Sequence, residues 1–388
     1  MDLPRSILST LAARPASLAD LTAATGASLP TLRRAMADLE SDGWLTVVDR
    51  EDGTGGRPAN LFGLNRATKT IVGVHLAHPG MRLVATDLYG QVVEERVPDG
   101  LVDLEPEAVY AEVADFIRHI RHDHPGRDVI GLGVATPGFI DALTGTIVAI
   151  GRVPRWRNLP LRERLAEQTG LPVLVINDMD ALATAEFGLA EHAATYAYAG
   201  LAEGLKFSFF IDGTPYTGPF GNAGLVAPPL MAEGSNAQDR SLLQVHGLVA
   251  AYLERRAEGP DAASKRSPQA VRADFAGILR QADAGELDAA ELTFKMTDLV
   301  AAQAASFVHL LQPGVLVIGG ALAGAPKGIV SRIEQGVRAR LPDLINNHLT
   351  VRPAAVTATN GTAVGATRAF LQAHLDRAVE RQPLLTSP

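Results

Sequence analysis

The stretch from Gly131 to Gly188 constrains the fold more than any other, because it holds two apolar runs that each end in a polar break. The first run, Val129 to Ala135, stops at Thr136-Pro137-Gly138. The second, Leu171 to Ile176, stops at Asn177-Asp178, immediately before an Ala-rich helical stretch. A short apolar run, a polar loop and a helix in succession mark a strand of an α/β sheet. In open sheets of this kind the loops at the carboxyl ends of the strands line the ligand crevice. Asn177, Asp178 and Asp180 are therefore candidates for holding ligand hydroxyls, and an aspartate so placed is also a candidate base.

Length and composition limit the alternatives. At 388 residues, two or three domains are expected, at roughly 100 to 200 residues each. A hydrophobic fraction of 47% supports a sizeable core. With no Cys, disulfides and thiolate zinc sites are excluded. The start, Met1 to Pro15, lacks a basic region followed by a long apolar core, and no apolar run approaches the roughly 18 residues of a membrane span. A cytoplasmic protein with no membrane partner is expected. The net charge of -8 argues against a uniformly basic nucleic-acid coat, while local patches remain compatible with DNA.

Ahead of the central stretch, Leu3, Ile7, Leu8 and Leu11 recur at helical spacing, and Arg14-Pro15 ends the segment. Ser17 is placed to cap a helix from Leu18 to Thr25. After the Gly26-Ala27 turn, Ser28 is placed to cap another, with Leu32, Met36 and Leu39 on its apolar face. This is helix-turn-helix spacing. Thr31, Arg33 and Arg34 lie on the opposite face near the amino end, which meets base edges when such a helix enters the major groove. Trp44 to Val48 reads as a strand, Glu51 to Gly56 as a flexible tip and Asn60 to Phe62 as the return strand, together a wing. Arg57, held by Pro58, is a candidate to enter an adjacent minor groove. Residues 1–66 carry seven Arg and no Lys against eight Asp and Glu, so charge alone does not select DNA. Arg33-Arg34 as an ordinary solvated face stays open. The DNA-binding candidates are Ser28, Thr31, Arg33, Arg34 and Arg57, in a domain spanning residues 1–66, with double-stranded operator DNA as the partner.

A hairpin opens at Thr70 and a similar one at Tyr196, each with an apolar strand, a turn, a second strand and an Asp-containing turn, Asp87 to Gly90 and Asp212-Gly213. This predicts two similar α/β halves around a cleft. The helix from Glu107 to His122 offers Val109, Val113, Phe116, Ile117 and Ile120 to the first sheet. His119, His122 and His124 at its end read either as a metal cluster or as solvated histidines. Without a carboxylate or Cys at ligand spacing the second reading is favoured, and no metal is expected.

Several of these residues resemble the ROK family of repressors, open reading frames and sugar kinases. Ala135-Thr136-Pro137-Gly138, followed by Ile140-Asp141 and Gly145, resembles its Gly-rich turn with Pro-Gly. Arg152 to Trp156 resembles its Asn-Leu-x-Gly-Trp segment in the Trp and the Pro-rich setting. Ile176-Asn177-Asp178-Met179-Asp180 is similar to its Glu-Asn-Asp-Ala-Asn sugar motif, with the Asn-Asp pair intact. Gly55-Gly56-Arg57-Pro58 resembles the wing of its repressors, and Asn360 to Ala366 its last turn. The resemblance, to a branch like the xylose and N-acetylglucosamine repressors, implies an α/β fold: an N-terminal winged helix-turn-helix followed by a two-lobed actin-like (ribonuclease H-like) ATPase/sugar kinase fold. The first lobe is expected over residues 67–185, completed by a C-terminal helix in residues 366–388. The second is expected over residues 186–365, with a role in forming a homodimer or tetramer.

The chain departs from the kinases of the family where phosphate is handled. Their first hairpin turn reads Asp-x-Gly-Gly-Thr, against His75-Leu76-Ala77-His78-Pro79 here, and Pro79 has no N–H to donate. Their Gly-Thr-Gly-Ile-Gly-Ala-Gly is replaced by Ala202 to Ser208, in which Glu203 would repel a triphosphate. Their Ala-Gly-Glu-x-Gly-His resembles Ala223 to Pro228 without its sugar-binding Glu or zinc His, and their Cys-rich zinc loop is replaced by Asn236 to Arg240. No cofactor is expected. The cleft would offer Asn177, Asp178, Gln244, His246 and Trp156, whose ring either packs on a sugar or is a half-buried packing residue. Asp178 either holds the effector or caps the helix that follows.

Toward the C-terminus, Glu254 to Ala273 reads as a surface insertion, about Glu291 to Leu311 as a helix, and Gly314 to Ile318 as a strand. Three functions compete. One is a transcriptional regulator, of repressor type, whose degenerate kinase domain senses a sugar or sugar phosphate without phosphorylating it. The others are an active sugar kinase with a DNA-binding arm, and a DNA-binding protein whose kinase-like part only dimerises or docks a protein. The first is the expectation.

Overall fold

In the computed structural model the described residues are 3–51, 59–77, 80–98, 105–150, 154–188, 195–226, 241–259, 261–357 and 361–376. Near the N-terminus, α1 (Leu3–Ala13), α2 (Leu18–Thr25) and α3 (Leu29–Ser41) turn their apolar stripes inward, burying Ile7, Leu8, Leu11, Leu21, Leu32, Met36 and Leu39 in one core. A capping box starts α2, the Asp20 N–H donating to Ser17 Oγ at 3.2 Å and the Ser17 N–H to Asp20 Oδ2 at 2.9 Å. Gly26, at φ 66°, ends it. The short β1 (Ala16–Ser17) pairs with β3 (Ala59–Leu64), which pairs in turn with β2 (Leu45–Glu51), all antiparallel. Three helices followed by a hairpin are consistent with the expected winged helix-turn-helix.

Two five-stranded sheets follow with the same order. In the first, β6 (Val92–Arg96), β5 (Met81–Thr86) and β4 (Lys69–Leu76) are antiparallel neighbours. They continue into parallel β7 (Asp128–Thr136) and β10 (Val173–Asn177). In the second, β13 (Thr214–Tyr216), β12 (Leu205–Ile211) and β11 (Tyr196–Leu201) are antiparallel, then β14 (Val315–Gly320) and β15 (Thr350–Pro353) run parallel. The duplication suggested by the two hairpins thus extends through whole sheets. A small ribbon, β8 (Phe139–Asp141) with β9 (Thr146–Ala149), leaves the end of β7.

One face of the first sheet is covered by α4 (Pro106–Asp123) and α5 (Leu161–Thr169). The outer face of the second is covered by α7 (Val245–Arg255), α8 (Pro268–Asp283), α9 (Leu287–Leu311) and α10 (Lys327–Arg338), with the single turn α11 (Asp343–Asn346) before β15. The segment expected as a surface insertion, Glu254 to Ala273, departs from that reading, since Glu254 and Arg255 still belong to α7. Ala263 is buried, and Pro268 onward already belongs to α8, with Val271 in the core.

Between the sheets lie α6 (Asp178–Phe187) and α12 (Gly361–Leu375). Two glycines permit the close stacking. A Cβ on Gly133 of β7 would meet the Ala366 carbonyl oxygen at 2.0 Å, and one on Gly365 would meet that of Ala181 at 1.8 Å. Farther along, Phe370, Leu371 and Leu375 of α12 join the core of the helix-turn-helix unit, together with Ile71 and Leu88 of the first lobe.

Candidate functional site

The floor of the expected cleft would be the junction of β10 and α6. Asn177, 2% exposed, is the N-cap: its Oδ1 accepts from the Met179 N–H at 2.9 Å, and its Nδ2 donates to the Gly138 carbonyl at 3.3 Å. This ties the end of β10 to the turn after β7, so the two sequence breaks do meet. Asp178 is the first helical residue rather than the cap, and its Oδ1 shares the same Met179 N–H at 2.9 Å. It is half-buried. Burial pushes its carboxyl up to about 6, against the Met179 N–H and the positive charge of Lys206, and the Asp180 charge adds to the upward push.

Two residues on, Asp180 is buried at 6% exposure. Its Oδ1 accepts from Lys206 Nζ at 2.5 Å and from Ser208 Oγ at 2.6 Å, while its Oδ2 has no hydrogen-bond partner. Lys206 and Ser208 sit on the same face of β12, both 2% exposed. Desolvating an ion pair costs several kcal/mol per charge, on the order that the mutual attraction and the added hydroxyl must offset. In the sequence alone Lys206 stands out only as a break in a phosphate turn. The available signal was the alternation Lys206, Ser208 against Phe207, Phe209 in a strand otherwise apolar on both faces.

The two lobes also touch at the rim. The Ile140 N–H donates to Asn222 Oδ1 at 3.1 Å and Asn222 Nδ2 donates back to the Ile140 carbonyl at 2.5 Å, while the Ala142 N–H reaches the Phe220 carbonyl at 3.3 Å. At the end of β4, burial aided by Arg272 and Arg82 lowers His75 to about 3. A neutral imidazole stands there, not a metal-binding carboxylate. His78, Pro79 and Asn236 to Arg240 lie outside the described residues.

The other proposed ligand residues do not all reach this floor. Trp156 is 1% exposed and packs in the core of the first lobe with Ile147 and Leu161, so its ring is a core element and not an open stacking face. The turn Pro154–Trp156 before α5 buries it where its spacing left either role open. Gln244 is exposed at the N-cap of α7 without a side-chain capping bond, and His246, two residues on, is half-buried. The start of α7 is held to the second hairpin turn by the Val245 N–H donating to the Ala202 carbonyl at 2.9 Å.

Of the histidines at the end of α4, expected as solvated, His122 is exposed while His119 and His124 are half-buried. A carboxylate does accompany them, but from β6: Glu94 meets His119 Nε2, and Glu94 Oε2 meets His124 Nε2 at 2.9 Å. Asp123 meets His122 at 2.6 Å and His119 at 3.3 Å. Although burial opposes it, hydrogen bonds from His124 and His119 hold the Glu94 carboxyl below its ordinary value. Among the described residues no group of three or more His, Cys, Asp or Glu is arranged to hold a metal ion.

On the N-terminal unit, Ser28, Thr31, Arg33 and Arg34 are all exposed at the start of α3. Ser28 stands at the N-cap, yet its Oγ pairs with Thr31 Oγ1 at 2.8 Å instead of a backbone N–H. Arg57 lies outside the described residues.

The family profile for ROK matches residues 72–373. The chain belongs to the ROK family. A transcriptional regulator of Mycobacterium tuberculosis is 28% identical over 317 residues, covering 77% of this chain and 70% of that one. A xylose repressor of Caldicellulosiruptor bescii is 25% identical over 213 residues, 54% and 52% of the two chains. A glucokinase of Thermotoga maritima is 24% identical over 265 residues, 66% and 83% of the two. Among solved structures, a ROK family transcriptional regulator described as a homolog of the E. coli MLC protein superposes over 99% of this chain and 100% of that one, with TM-score 0.76 at 18% identity. A ROK hexokinase from Thermus thermophilus covers 79% of this chain and 99% of its own, with TM-score 0.61 at 24% identity. At these identities the structural matches speak for the fold: the ROK regulator spans the helix-turn-helix unit and both lobes, while the ROK hexokinase leaves part of the chain uncovered.

Proposed function

We propose that this ROK protein is a DNA-binding transcriptional regulator, of repressor type, whose two-lobed part senses a sugar and does not phosphorylate it. The observation that carries the reading is the shared core: Ile7, Leu11, Leu32 and Leu39 of the helix-turn-helix unit pack in one cluster with Phe370, Leu371 and Leu375 of α12. The same α12 lies against α6, whose first turn floors the cleft. A ligand that moves α6 relative to α12 therefore acts on the reading unit. Exposed Arg33 and Arg34 on α3 are the base-contacting candidates, Arg57 the minor-groove candidate, and the partner is operator DNA bound by a homodimer or tetramer. No helix among the described residues is long and apolar enough to cross a membrane, and a cytoplasmic location fits this role.

The competing reading is a sugar kinase with a DNA-binding arm, since ROK glucokinases are also similar to this chain. Against it stand exposed Glu203 in the second hairpin turn and the Lys206 side chain in place of a phosphate-approaching glycine. Two measurements test the proposal together: operator affinity with and without sugar, and sugar phosphate formed from ATP. A sugar-dependent change in affinity with no turnover is the expected result. Kinase-like turnover, or operator binding indifferent to every sugar, overturns it.

A further inference from the structure

The β8–β9 ribbon is fastened to the first lobe at both its root and its tip. At the root, the Gly138 carbonyl accepts from Asn177, which caps α6. At the tip, the Arg162 guanidinium of α5 donates to the Ala142 carbonyl at 2.8 Å and to the Leu143 carbonyl at 2.9 Å. Gly145, at φ 70°, lets the Arg162 side chain lie close, since a Cβ there would meet Arg162 Cβ at 2.5 Å. The outer edge of β8 is completed by the second lobe instead. A single amide side chain, Asn222, pairs with both the N–H and the carbonyl of Ile140, at 3.1 and 2.5 Å, and the Ala142 N–H donates to the Phe220 carbonyl at 3.3 Å. An amide that exchanges both bonds with one residue does what a neighbouring antiparallel strand does. Asn222 is presented by a turn closed on itself, the Ala223 N–H donating to the Thr217 carbonyl at 2.9 Å. In that turn Gly221 is buried at φ 79°, and a Cβ on it would meet Ala142 Cβ at 2.5 Å, so the turn and the ribbon are in close contact.

We propose that the β8–β9 ribbon is a strap across the two lobes, carried by the first and clipped by Asn222 of the second, so that the lobes part only when Ile140 and Ala142 are released together. The buried Lys206 to Asp180 pair joins α6 to β12 farther in, whereas Asn222 is half-buried, where water competes for the same bonds. The clip is therefore the part of the lobe contact that yields first. Because Asn177 grips the ribbon root, the clip bears on the start of α6, and α6 packs on α12. This holds whichever ligand the protein senses.

The chain contains no Cys, so Gln168→Cys on α5 and Gln269→Cys on α8, both exposed, take spin labels that report the lobe-to-lobe distance. In the parent without ligand the distance distribution should be single and narrow. Amide hydrogen exchange at Ile140 and Ala142 should be slow and equal within about threefold, because one opening releases both. Asn222→Ala removes the clip, and Gly221→Ala wedges Ala142 away while Asn222 stays. Each should add a population at longer distance and speed exchange at Ala142, whose own acceptor is untouched, about tenfold or more. Melting curves verify that the variants are folded. If Asn222 only shapes its own turn, the folded variants keep the parental distance and the parental exchange at Ala142, and the inference is overturned. Fast or unequal exchange at Ile140 and Ala142 in the parent overturns it too, with no variant needed.

Discussion

Trp44, at the foot of the β2–β3 hairpin, stacks on His374 of α12 with ring centroids 5.9 Å apart and 17° between the planes. Phe370 also stacks on the His374 imidazole, 5.7 Å away at 22°, and Lys69 Nζ lies 5.4 Å from the Trp44 ring centroid. A second connection runs through Arg368. It donates to the Ala185 carbonyl of α6 at 2.9 Å and to the Tyr89 carbonyl at 3.5 Å, and Tyr89 Oη accepts from the Leu64 N–H at the end of β3 at 2.9 Å. The cleft helix, α12 and the wing base are thus joined by directional contacts as well as by the shared core.

Arg368→Leu should uncouple sensing from DNA binding. Effector binding to the DNA-free variant should stay within about twofold of the parent, while the effector-induced change in operator affinity, about 1 to 3 kcal/mol in coupled systems, should fall toward zero. Fluorescence anisotropy with labelled operator, with and without effector, measures both. A parental shift would show that coupling runs through the apolar core alone.

Arg33→Ala and Arg34→Ala should each relax base preference at a defined operator position, at about 1 to 3 kcal/mol for a bidentate contact. Arg57→Ala should weaken binding to A·T-rich flanks instead. Half-sites on one face of the duplex, about 10 base pairs apart or a multiple of that, are expected for a two-fold dimer. Binding selections on randomised operators read all of these, and three variants with parental preference would remove α3 as the reading helix.

Asp178 makes stability depend on pH in a defined direction. Its carboxyl rises from an ordinary 3.8 to about 6 on folding, so between those values the folded state holds more protons than the unfolded one. Stability therefore falls as pH rises through that window, and the penalty persists above it. Asp178→Asn should melt higher than the parent at pH 8, by on the order of 1 kcal/mol, with the gain shrinking as pH drops through 6 and vanishing near the unfolded value. Asp178→Ala should weaken effector binding roughly ten- to a hundredfold, the equivalent of a charged hydrogen bond at about 1.5 to 3 kcal/mol. A melting difference that does not vary with pH would contradict the assigned shift.

Glu186 is fully buried at the far end of α6, paired with Arg352 of β15 and accepting the Val356 N–H at 2.7 Å. Arg352→Ala leaves that carboxylate buried without its cation and should cost about 3 to 5 kcal/mol in urea denaturation. Glu186→Gln keeps an acceptor and removes the charge, so its cost should be less than half as large. Equal losses would mean the charge is not what matters there.

The local patterns were legible because they depend on residues near one another in the chain. Leu32, Met36 and Leu39 at helical spacing gave α3, the apolar runs ending at Thr136 and Asn177 gave two strand ends, and the matching hairpins gave the duplicated lobes. Motif and departure alike could be read in this way, down to the intact Asn177-Asp178 pair. Tertiary structure decided what depends on distant partners. It buried Trp156 in the first lobe, brought Glu94 to His119 and His124, and set Lys206 and Ser208 against Asp180 from a strand of the other lobe. A side chain's periodicity states which face it occupies, but only the packed sheets and helices determine which charge or ring lies opposite that face, and with it whether a residue binds, caps or packs.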